Sequence, residues 1–435
     1  MAKLTRRQLT QSVLASAAIA PWRALAADPV GQDSTVPSGT QTDSGVTDSE
    51  IVLGVSTAFK GPSRGLGIEL YRGAVSYFAH VNDQGGVHGR RIVLKLRNDG
   101  YQPVPAVENS VKLIVDDKVF ALFGYVGTPT VTRVLPVLKK FQDRDFLLFF
   151  PFTGAQPQRQ PPYDEFAFNL RASYKQETAG LVDNFVSIGR ERIAVFYQAD
   201  AYGRSGWAGV RAALKKYDKK LVGEATYRRG EQYTAVMRAQ VERLKKVNPD
   251  AVICIGAYAA CSAFARDAID GGLDVPIANL SFVGSENLLK NLTDEFGSES
   301  ERYSRWLVNS QVVPSYEDLT MSSISEYEDL MSRYDPTPPP EFEEHDYVPF
   351  AKSFTSLEGF LNAKLMTEIL MRAGPSPSRA LLEDAVFSIQ NHDLGIGEMV
   401  HFSPERRQGL DQVYYTIVEN NRFVGLTDWE AKFAT

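Results

Sequence analysis

Apolar and polar positions follow two alternating patterns along most of the chain. From Ile51 onward, short runs rich in β-branched residues are separated by longer segments with helical spacing of apolar residues. The predicted strands of this first part are 51–56, 92–96, 120–124 and 146–150, and the predicted helices are 70–81, 106–115 and 131–141. Near-continuous apolar strands that alternate with helices predict a parallel sheet covered on both faces.

The same pattern repeats after a break. The predicted strands of this second part are 193–197, 221–227, 251–255 and 276–282, and the predicted helices are 202–216, 234–247 and 261–269. Two runs of about 120 residues each predict two separate doubly wound, Rossmann-like α/β sheets, because a single core of that combined size usually divides. A ligand would then bind between the two halves.

The remainder of the chain is less regular. Strands are predicted at 306–313 and 413–418, and helices at 322–334 and 357–372. Between these helices, the proline-rich run 335–340 and the acidic residues up to Asp346 predict a solvated loop, because repeated prolines remove backbone donors.

The N-terminus has the pattern of an export signal. Residues 1–26 contain four basic residues and no acid, followed by a short apolar stretch and the small-x-small sequence Ala24-Leu25-Ala26. Arg6-Arg7 resembles a twin-arginine signal, although an ordinary secretory signal with two adjacent arginines fits as well. Residues 27–49 are polar and rich in Ser, Thr, Gly and Asp, which predicts a flexible leader.

Charge and cysteine content exclude several function classes. The net charge of −6 becomes −10 when the four basic residues of the signal are removed. A nucleic-acid binder normally carries a basic surplus, so this class is disfavoured. With 2 Cys and 5 His, a disulfide framework is excluded and zinc chemistry is disfavoured. Cys254 and Cys261 can form one disulfide in an oxidising compartment, but separate burial is favoured because disulfide geometry is demanding.

The chain lacks the motifs of a catalyst. The five histidines are scattered, and none lies in a motif with a nucleophile or with metal-ligand spacing. Gly65 and Gly67 form half of a dinucleotide fingerprint, but Leu70 stands where the third glycine is needed. We therefore predict no enzymatic activity, no cofactor and no metal.

Small, hydroxyl and aromatic residues lie in the turns that follow the predicted strands, which is where ligands bind in open α/β sheets. Thr128-Pro129 resembles an N-cap with proline at the first helical position, and the free amides of such a helix start attract a carboxylate. The alternative is that Thr128 only caps its own helix.

The order of these turns resembles the type I periplasmic ligand-binding proteins of the branched-chain amino acid transporter class, which contains the leucine/isoleucine/valine-binding protein. Matching segments run from about residue 50 to the C-terminus and are spread over both halves. They include 50–54, 72–74, 98–101, 127–129, 169–171, 192–196, 201–203 and 249–252.

This resemblance implies a periplasmic receptor that closes on a small ligand and delivers it to an inner-membrane ABC permease. It implies two lobes joined by three crossovers near residues 171, 310 and 411. The first lobe would comprise 50–170 and 314–410, and the second 171–313 and 411–435. The ligand contacts of the family correspond here to Thr128, Thr153, Ala155, Tyr202 and Tyr258. Leu66 lies where the leucine-type binders have an aromatic lining residue.

One position departs from the family pattern. The amino-acid binders typically have an acidic residue that pairs with the ligand's α-ammonium group where this chain has Ser281. A buried ammonium without a counter-charge is strongly disfavoured. We therefore expect a carboxylate or other polar ligand without an α-amino group, unless Asp200 or Glu286 substitutes. Arg64 at the lip of the cleft could select such an anion, or be a solvated surface residue.

Two other functions remain open from sequence. A sensory module docking on a membrane kinase uses the same closure as a transport receptor. A soluble α/β enzyme such as a dehydrogenase is disfavoured by the missing cofactor fingerprint and acid–base pair.

Overall fold

The computed structural model describes residues 45–433. The export signal predicted over 1–26 and the leader up to residue 44 lie outside this range. The last five leader residues, 45–49, pack against the first sheet rather than being flexible. Val46 is buried and forms an antiparallel bridge with Ile51, and the Val52 amide donates to the Gly45 carbonyl oxygen at 2.8 Å.

The first lobe, here lobe 1, is built on a five-stranded parallel sheet with the order β2-β1-β3-β4-β5. Its strands are β1 (Glu50–Thr57), β2 (Arg91–Asn98), β3 (Ala121–Phe123), β4 (Leu148–Phe149) and β5 (Ala167–Phe168). Its helices are α1 (Arg64–Asp83), α2 (Pro103–Val115), α3 (Thr128–Lys140), α10 (Ser322–Tyr334), α11 (Phe354–Arg372) and α12 (Arg379–Phe387). A small two-stranded sheet pairs β11 (His392–Asp393) with β12 (Met399–Val400).

The second lobe, here lobe 2, has a seven-stranded sheet with the order β14-β13-β10-β9-β8-β6-β7. Its strands are β6 (Ile193–Gln198), β7 (Gly223–Tyr227), β8 (Ala251–Ile255), β9 (Ile277–Asn279), β10 (Leu307–Gln311), β13 (Tyr414–Glu419) and β14 (Arg422–Gly425). The first five of these are parallel, and β13 and β14 join antiparallel. Its helices are α4 (Tyr174–Ser187), α5 (Ala201–Lys215), α6 (Arg238–Lys245), α7 (Tyr258–Asp270), α8 (Ser285–Phe296), α9 (Ser300–Ser304) and α13 (Trp429–Phe433).

The chain passes between the two sheets three times, after β5, after β10 and after β12. The first and third passages run side by side. The Asn169 amide donates to the Arg407 carbonyl oxygen at 2.9 Å, and the Gly409 amide donates back to the Asn169 carbonyl oxygen at 2.8 Å. The predicted two-lobed, doubly wound α/β fold is thus the observed one, while the residue-level lobe boundaries stay a prediction.

Close packing of α1 against α11 sets the position of α11 in lobe 1. A Cβ atom on Gly73 would lie 1.7 Å from the Ser356 carbonyl oxygen, and one on Gly359 would lie 2.0 Å from that of Leu70. Only glycine permits this approach of the two backbones. This contact fixes the position of Glu358, which precedes Gly359 on α11 and faces the other lobe.

Several elements differ from the sequence prediction. Helix α4 was not predicted, although Ser173 and Gln176 form a capping box at its start. The strand predicted over 276–282 ends at Asn279 and continues as a 3₁₀ turn over Ser281–Val283, and α6 begins at Arg238 rather than at residue 234. Over the described range, the helices are too short or too polar to cross a membrane.

Candidate functional site

Helix α3 of lobe 1 brings the hydroxyl of Thr128 to the side of the sheet where the strands end. The N-cap of α3 is Gly127, whose φ of 99° lies in the left-handed region, and Thr128 is the first helical residue. The prediction that Thr128 is the N-cap and Pro129 the first helical residue is therefore wrong by one position. The Thr128 hydroxyl does not cap the helix and instead forms a hydrogen bond with the Thr153 hydroxyl, with the two oxygens 2.7 Å apart.

The turn after β4 supplies Thr153 and Ala155, which are both fully buried. Arg159 holds this turn in place. Its Nη1 donates to the carbonyl oxygens of Thr153 at 3.2 Å and Ala155 at 2.7 Å, and its Nη2 donates to the Arg171 carbonyl oxygen at 3.2 Å. Burial lowers the pKa of Arg159 to about 9, and the neighbouring Arg171 guanidinium acts in the same direction.

Aromatic rings from both lobes meet between the two sheets. The Tyr202 ring at the start of α5 lies 4.7 Å from that of Phe282 and 5.1 Å from that of Tyr174. From lobe 1, Phe152 and Tyr101 contact Phe282 with ring centroids 5.4 and 5.7 Å away. Within residues 45–433, the Tyr202 hydroxyl has no hydrogen-bond partner. Burial raises its pKa well above the ordinary value, so it remains a donor.

Ser281 lies between a cation and an anion of the chain itself. Its backbone amide donates to Glu177 Oε2 at 2.8 Å and its hydroxyl to Glu177 Oε1 at 3.1 Å. The Ser310 hydroxyl also donates to Glu177 Oε2, at 2.6 Å. Arg171 donates from Nη2 to the Ser281 hydroxyl, and this nitrogen lies 3.5 Å from Glu177 Oε1. Glu177 of α4 thus places a carboxylate beside Ser281, and the Arg171 guanidinium already faces that carboxylate.

Arg171 connects the two lobes at the first passage between the sheets. Its side chain is 1% exposed, and its Nη1 lies 3.5 Å from Oε1 of Glu358 on α11 of lobe 1. Burial acts against the guanidinium charge, but Glu358 and Glu177 outweigh it, so the pKa of Arg171 is raised and the group stays charged. Its Cζ lies 4.7 Å from the centroid of the Phe152 ring. In the described part of the chain, Nε and Nη1 of Arg171 donate no hydrogen bond.

Glu358 is held less firmly than Glu177. Among residues 45–433, no group donates a hydrogen bond to its carboxylate, and Arg171 at 3.5 Å is its ion-pair partner. Burial raises the pKa of Glu358 to about 7, and the charge of Arg171 lowers it less than burial raises it. Near neutral pH, this carboxyl group therefore exchanges between its charged and neutral forms.

A second set of predicted residues joins the lobes nearer the lip of the cleft. The Tyr258 hydroxyl, at the start of α7, accepts a hydrogen bond from the Gly65 amide of α1 at 3.2 Å. Leu66 is fully buried against Gly284, where a Cβ atom would lie 2.6 Å from Leu66 Cδ2. Gly284 has a φ of 75°, so the close approach and the backbone both favour glycine there. These contacts hold the two lobes together in a closed arrangement.

Arg64 at the lip is bound to acids of its own chain. Its Nη1 donates to Glu344 Oε2 at 2.8 Å and its Nη2 to Asp346 Oδ2 at 2.6 Å. The acidic segment predicted to be a solvated loop therefore lies partly on lobe 1, where Phe342 also stacks on Phe59 with ring centroids 5.0 Å apart. Arg64 is therefore a partly exposed arginine that is paired with two acids, and its selection of an anion stays a prediction.

Neither acid considered as a substitute for position 281 contacts Ser281 in the described chain. Asp200 accepts from Arg229 Nη1 at 2.8 Å and caps α5, and Glu286 accepts from the Phe354 amide at 3.1 Å. Both are engaged elsewhere. The carboxylate that contacts Ser281 is that of Glu177, a residue that sequence reasoning did not select.

Cys254 in β8 and Cys261 in α7 are both buried free thiols. Burial raises the pKa of Cys254, and the neighbouring Cys261 raises it further. This agrees with the favoured sequence interpretation of separate burial. A cavity of about 760 Å³ lies elsewhere on lobe 2, on the outer side of α5 around Trp207 and Arg211, and is not lined by the predicted site residues.

The structure brings most of the predicted residues into two neighbouring groups. Thr128, Thr153, Ala155, Tyr202 and Ser281 surround the Arg171 and Tyr174 side chains, whereas Leu66, Tyr258 and Arg64 lie toward the lip. Sequence reasoning missed the charged members of the first group, which are Arg171, Glu177, Glu358 and Arg159. The capping box of α4 was a usable signal for Glu177. Arg171 belongs to the matching segment 169–171 but was not selected as a site residue, and Glu358 and Arg159 are recognisable only from tertiary packing.

Comparisons with known proteins agree with this architecture. The family described as "Periplasmic binding protein" matches residues 50–422. A solved structure of a possible leucine/isoleucine/valine-binding protein from Rhodopirellula baltica is 28% identical, covers 90% of this chain and 99% of its own, and superimposes with a TM-score of 0.77. A substrate-binding periplasmic protein from Ralstonia solanacearum is 26% identical, with 87% and 100% coverage and a TM-score of 0.75.

Among curated relatives, an amino acid binding protein of Pseudomonas aeruginosa is 23% identical over 226 residues. That alignment spans 52% of this chain and 59% of the relative, which is less than two thirds of its length. Because the family match covers most of the chain, this protein belongs to the periplasmic binding protein family. Its fold is that of the type I periplasmic binding proteins, and the family consists of ligand-binding proteins rather than enzymes. Membership implies a periplasmic location.

Proposed function

We propose that this protein is a periplasmic receptor that closes on a small polar organic ligand and delivers it to an inner-membrane ABC permease. The observation that carries the proposal is the set of groups contributed by two lobes to one buried region. Lobe 1 supplies the paired hydroxyls of Thr128 and Thr153, and lobe 2 supplies Tyr202 and Ser281. A ligand bound by both lobes favours the closed over the open arrangement and shifts the population accordingly.

The ligand of this proposal is an organic acid, or an amino-acid-like molecule whose ammonium group is not bound beside Ser281. Support comes from the Arg171 guanidinium, which already lies against Ser281 and Glu177. A second cation at that place would meet a like charge in a buried region, which is strongly unfavourable.

Calorimetric titration with a panel of organic acids and amino acids tests this proposal, together with small-angle X-ray scattering to detect closure. We expect an organic acid to bind and the radius of gyration to fall on binding. Absence of binding and of compaction for every member of the panel would contradict the receptor function. Tight binding of leucine or valine would leave the receptor function in place and contradict the assignment of ligand class.

A ligand-sensing module for a membrane kinase is the alternative use of the same closure. Transporter genes beside the gene for this protein would favour the transport role, and a kinase gene would favour sensing.

We also propose that export uses the twin-arginine route, based on Arg6-Arg7 in the N-terminal signal. Replacing both arginines with lysine should block export on that route and leave it intact on the general secretory route.

A further inference from the structure

The cluster around Arg171 has donors that the protein itself does not use. Within the described residues, Arg171 Nε and Nη1 donate no hydrogen bond, and the Tyr202 hydroxyl has no partner. All three belong to fully buried side chains. A buried polar group without a hydrogen-bond partner destabilises the folded protein, so these donors point to a ligand that accepts from them.

The unused groups share one chemistry. A guanidinium has donors only, and the Tyr202 phenol keeps its proton because burial raises its pKa. The Tyr174 hydroxyl lies close to those of Thr153 and Thr128, and burial raises its pKa as well. Such a set of donors around one permanent cation fits an acceptor with negative charge, and the planar guanidinium matches a carboxylate.

The charges in the cluster leave a place for one more anion. Arg171 and Arg159 are the two cations, and Glu177 and Glu358 are the two acids acting on them. Glu177 is held by three hydrogen bonds from Ser281 and Ser310, whereas Glu358 has Arg171 at 3.5 Å and accepts no hydrogen bond within residues 45–433. When Glu358 is neutral, the cluster has a net positive charge.

We infer that Arg171 binds the acidic group of the ligand, and that the Glu358 carboxylate competes with it for the guanidinium, so that ligand binding is coupled to protonation of Glu358. This inference rests on the proposed receptor function and names its specificity-determining residue. The rings of Phe152 and Tyr174 lie beside Arg171, and those of Tyr202, Phe282 and Tyr101 pack onto them in turn. This aromatic cluster favours an acid that is attached to an apolar, ring-bearing body.

The direction of the pH effect follows from the charges that face Glu358. Arg171 and Arg159 lower its pKa, Glu177 raises it, and burial raises it most, to about 7. A ligand anion on Arg171 raises this pKa further, so binding above neutral pH takes up a proton. Affinity is therefore full below a pH of about 7 and falls by up to about tenfold per pH unit above it.

The first experiment is calorimetric titration of the full mature protein at a pH of about 6 with benzoate, benzamide and L-phenylalanine. Benzamide has the shape of benzoate without its charge, and phenylalanine adds an ammonium group. We expect benzoate to bind, and benzamide and phenylalanine to bind at least about 100-fold more weakly. Tighter binding of phenylalanine or leucine, or no binding of benzoate, would overturn the inference.

The second experiment compares variants. Arg171→Gln should weaken benzoate binding about 100-fold, with circular dichroism as the check of folding. Because that variant leaves two buried acids without their cation, Glu358→Gln gives an independent test. It mimics the neutral acid, so it should bind benzoate at least as well as the wild type and with no decrease from a pH of about 7 to about 8.5.

Glu69→Gln is the matched control, because Glu69 is also a buried acid of lobe 1 with an arginine partner, Arg72, at 3.0 Å. It should keep the pH profile of the wild type. Titrations in two buffers of different ionisation enthalpy should show proton uptake by the wild type and by Glu69→Gln, but not by Glu358→Gln. A Glu358→Gln profile identical to that of the wild type would overturn the coupling. Leucine binding with compaction would retain the receptor and overturn only this inference.

Discussion

Two arginines join separate parts of this molecule, and their surroundings give them different roles. Arg64 at the lip is 21% exposed and donates to Glu344 and Asp346. Arg171 between the lobes is 1% exposed, has one acid on each lobe at 3.5 Å, and leaves two nitrogens without a hydrogen bond within the described chain. The partly exposed arginine, which is paired with two acids, stabilises a surface segment, whereas the buried and incompletely bonded one is suited to a ligand.

The largest expected difference between the two arginines is in stability. Arg171→Met leaves Glu177 and Glu358 buried without their cation, which should lower the free energy of unfolding by about 3–5 kcal/mol. Arg64→Met should lower it by less than about 1 kcal/mol, because both of its partners are at the surface. Urea unfolding at neutral pH measures both changes. Equal losses would show that burial of the ion pairs does not distinguish the two clusters.

The acids paired with Arg171 and with Arg64 should change the stability of the protein in different pH ranges. The pKa of Glu358 is raised to about 7, so its contribution to stability is present below its ordinary pKa and is lost as pH rises through about 7. The pKa of Asp346 is lowered by its hydrogen bond to Arg64, so its contribution is lost as pH falls into the acid range.

Comparing the wild type with Glu358→Gln should therefore show a difference in unfolding free energy that changes by about 1–3 kcal/mol between pH values of about 5 and 8. For Asp346→Asn, the loss of stability relative to the wild type should be constant near neutral pH and should shrink only as the pH falls into the acid range. Parallel stability curves for the wild type and Glu358→Gln would mean that Glu358 does not titrate in this range.

The smallest expected effect concerns the hydrogen bond that closes the lip. Tyr258→Phe removes the acceptor of the Gly65 amide and should make the free energy of closure less favourable by about 0.5–1.5 kcal/mol, measured as a modest loss of ligand affinity.

Tyr202→Phe removes a hydroxyl with no protein partner in the described residues, so it should leave stability almost unchanged and reduce affinity for an anion. If Tyr202→Phe destabilises the protein instead, its hydroxyl has a structural role.

Much of this fold is predictable because its signals are local. Apolar β-branched runs predict the strands of both sheets except β5 and β14, and helical spacing predicts α10 with its observed bounds, Ser322–Tyr334. Helix α4 was missed because its capping box, at Ser173 and Gln176, was not used. The short β5 has two residues, too few for a periodic pattern to show.

The candidate site is predictable only in part, for a physical reason. Turn residues such as Thr128 and Tyr202 follow strands in a known order, so the resemblance to a family can identify them. The pairing of Arg171 with Glu358 depends on how α11 packs on α1 and on how the lobes meet, and residues distant in sequence carry no local sign of it. The same holds for Arg64, whose acidic partners belong to a segment predicted to be solvated.

The central claim is that two lobes close on an acid held by Arg171. Mass spectrometry of the small molecules released when the natively purified protein is denatured tests this claim most directly. We predict a carboxylic acid without an amino group, and its absence from protein carrying Arg171→Gln. Release of leucine, valine or another α-amino acid from the wild-type protein would contradict it.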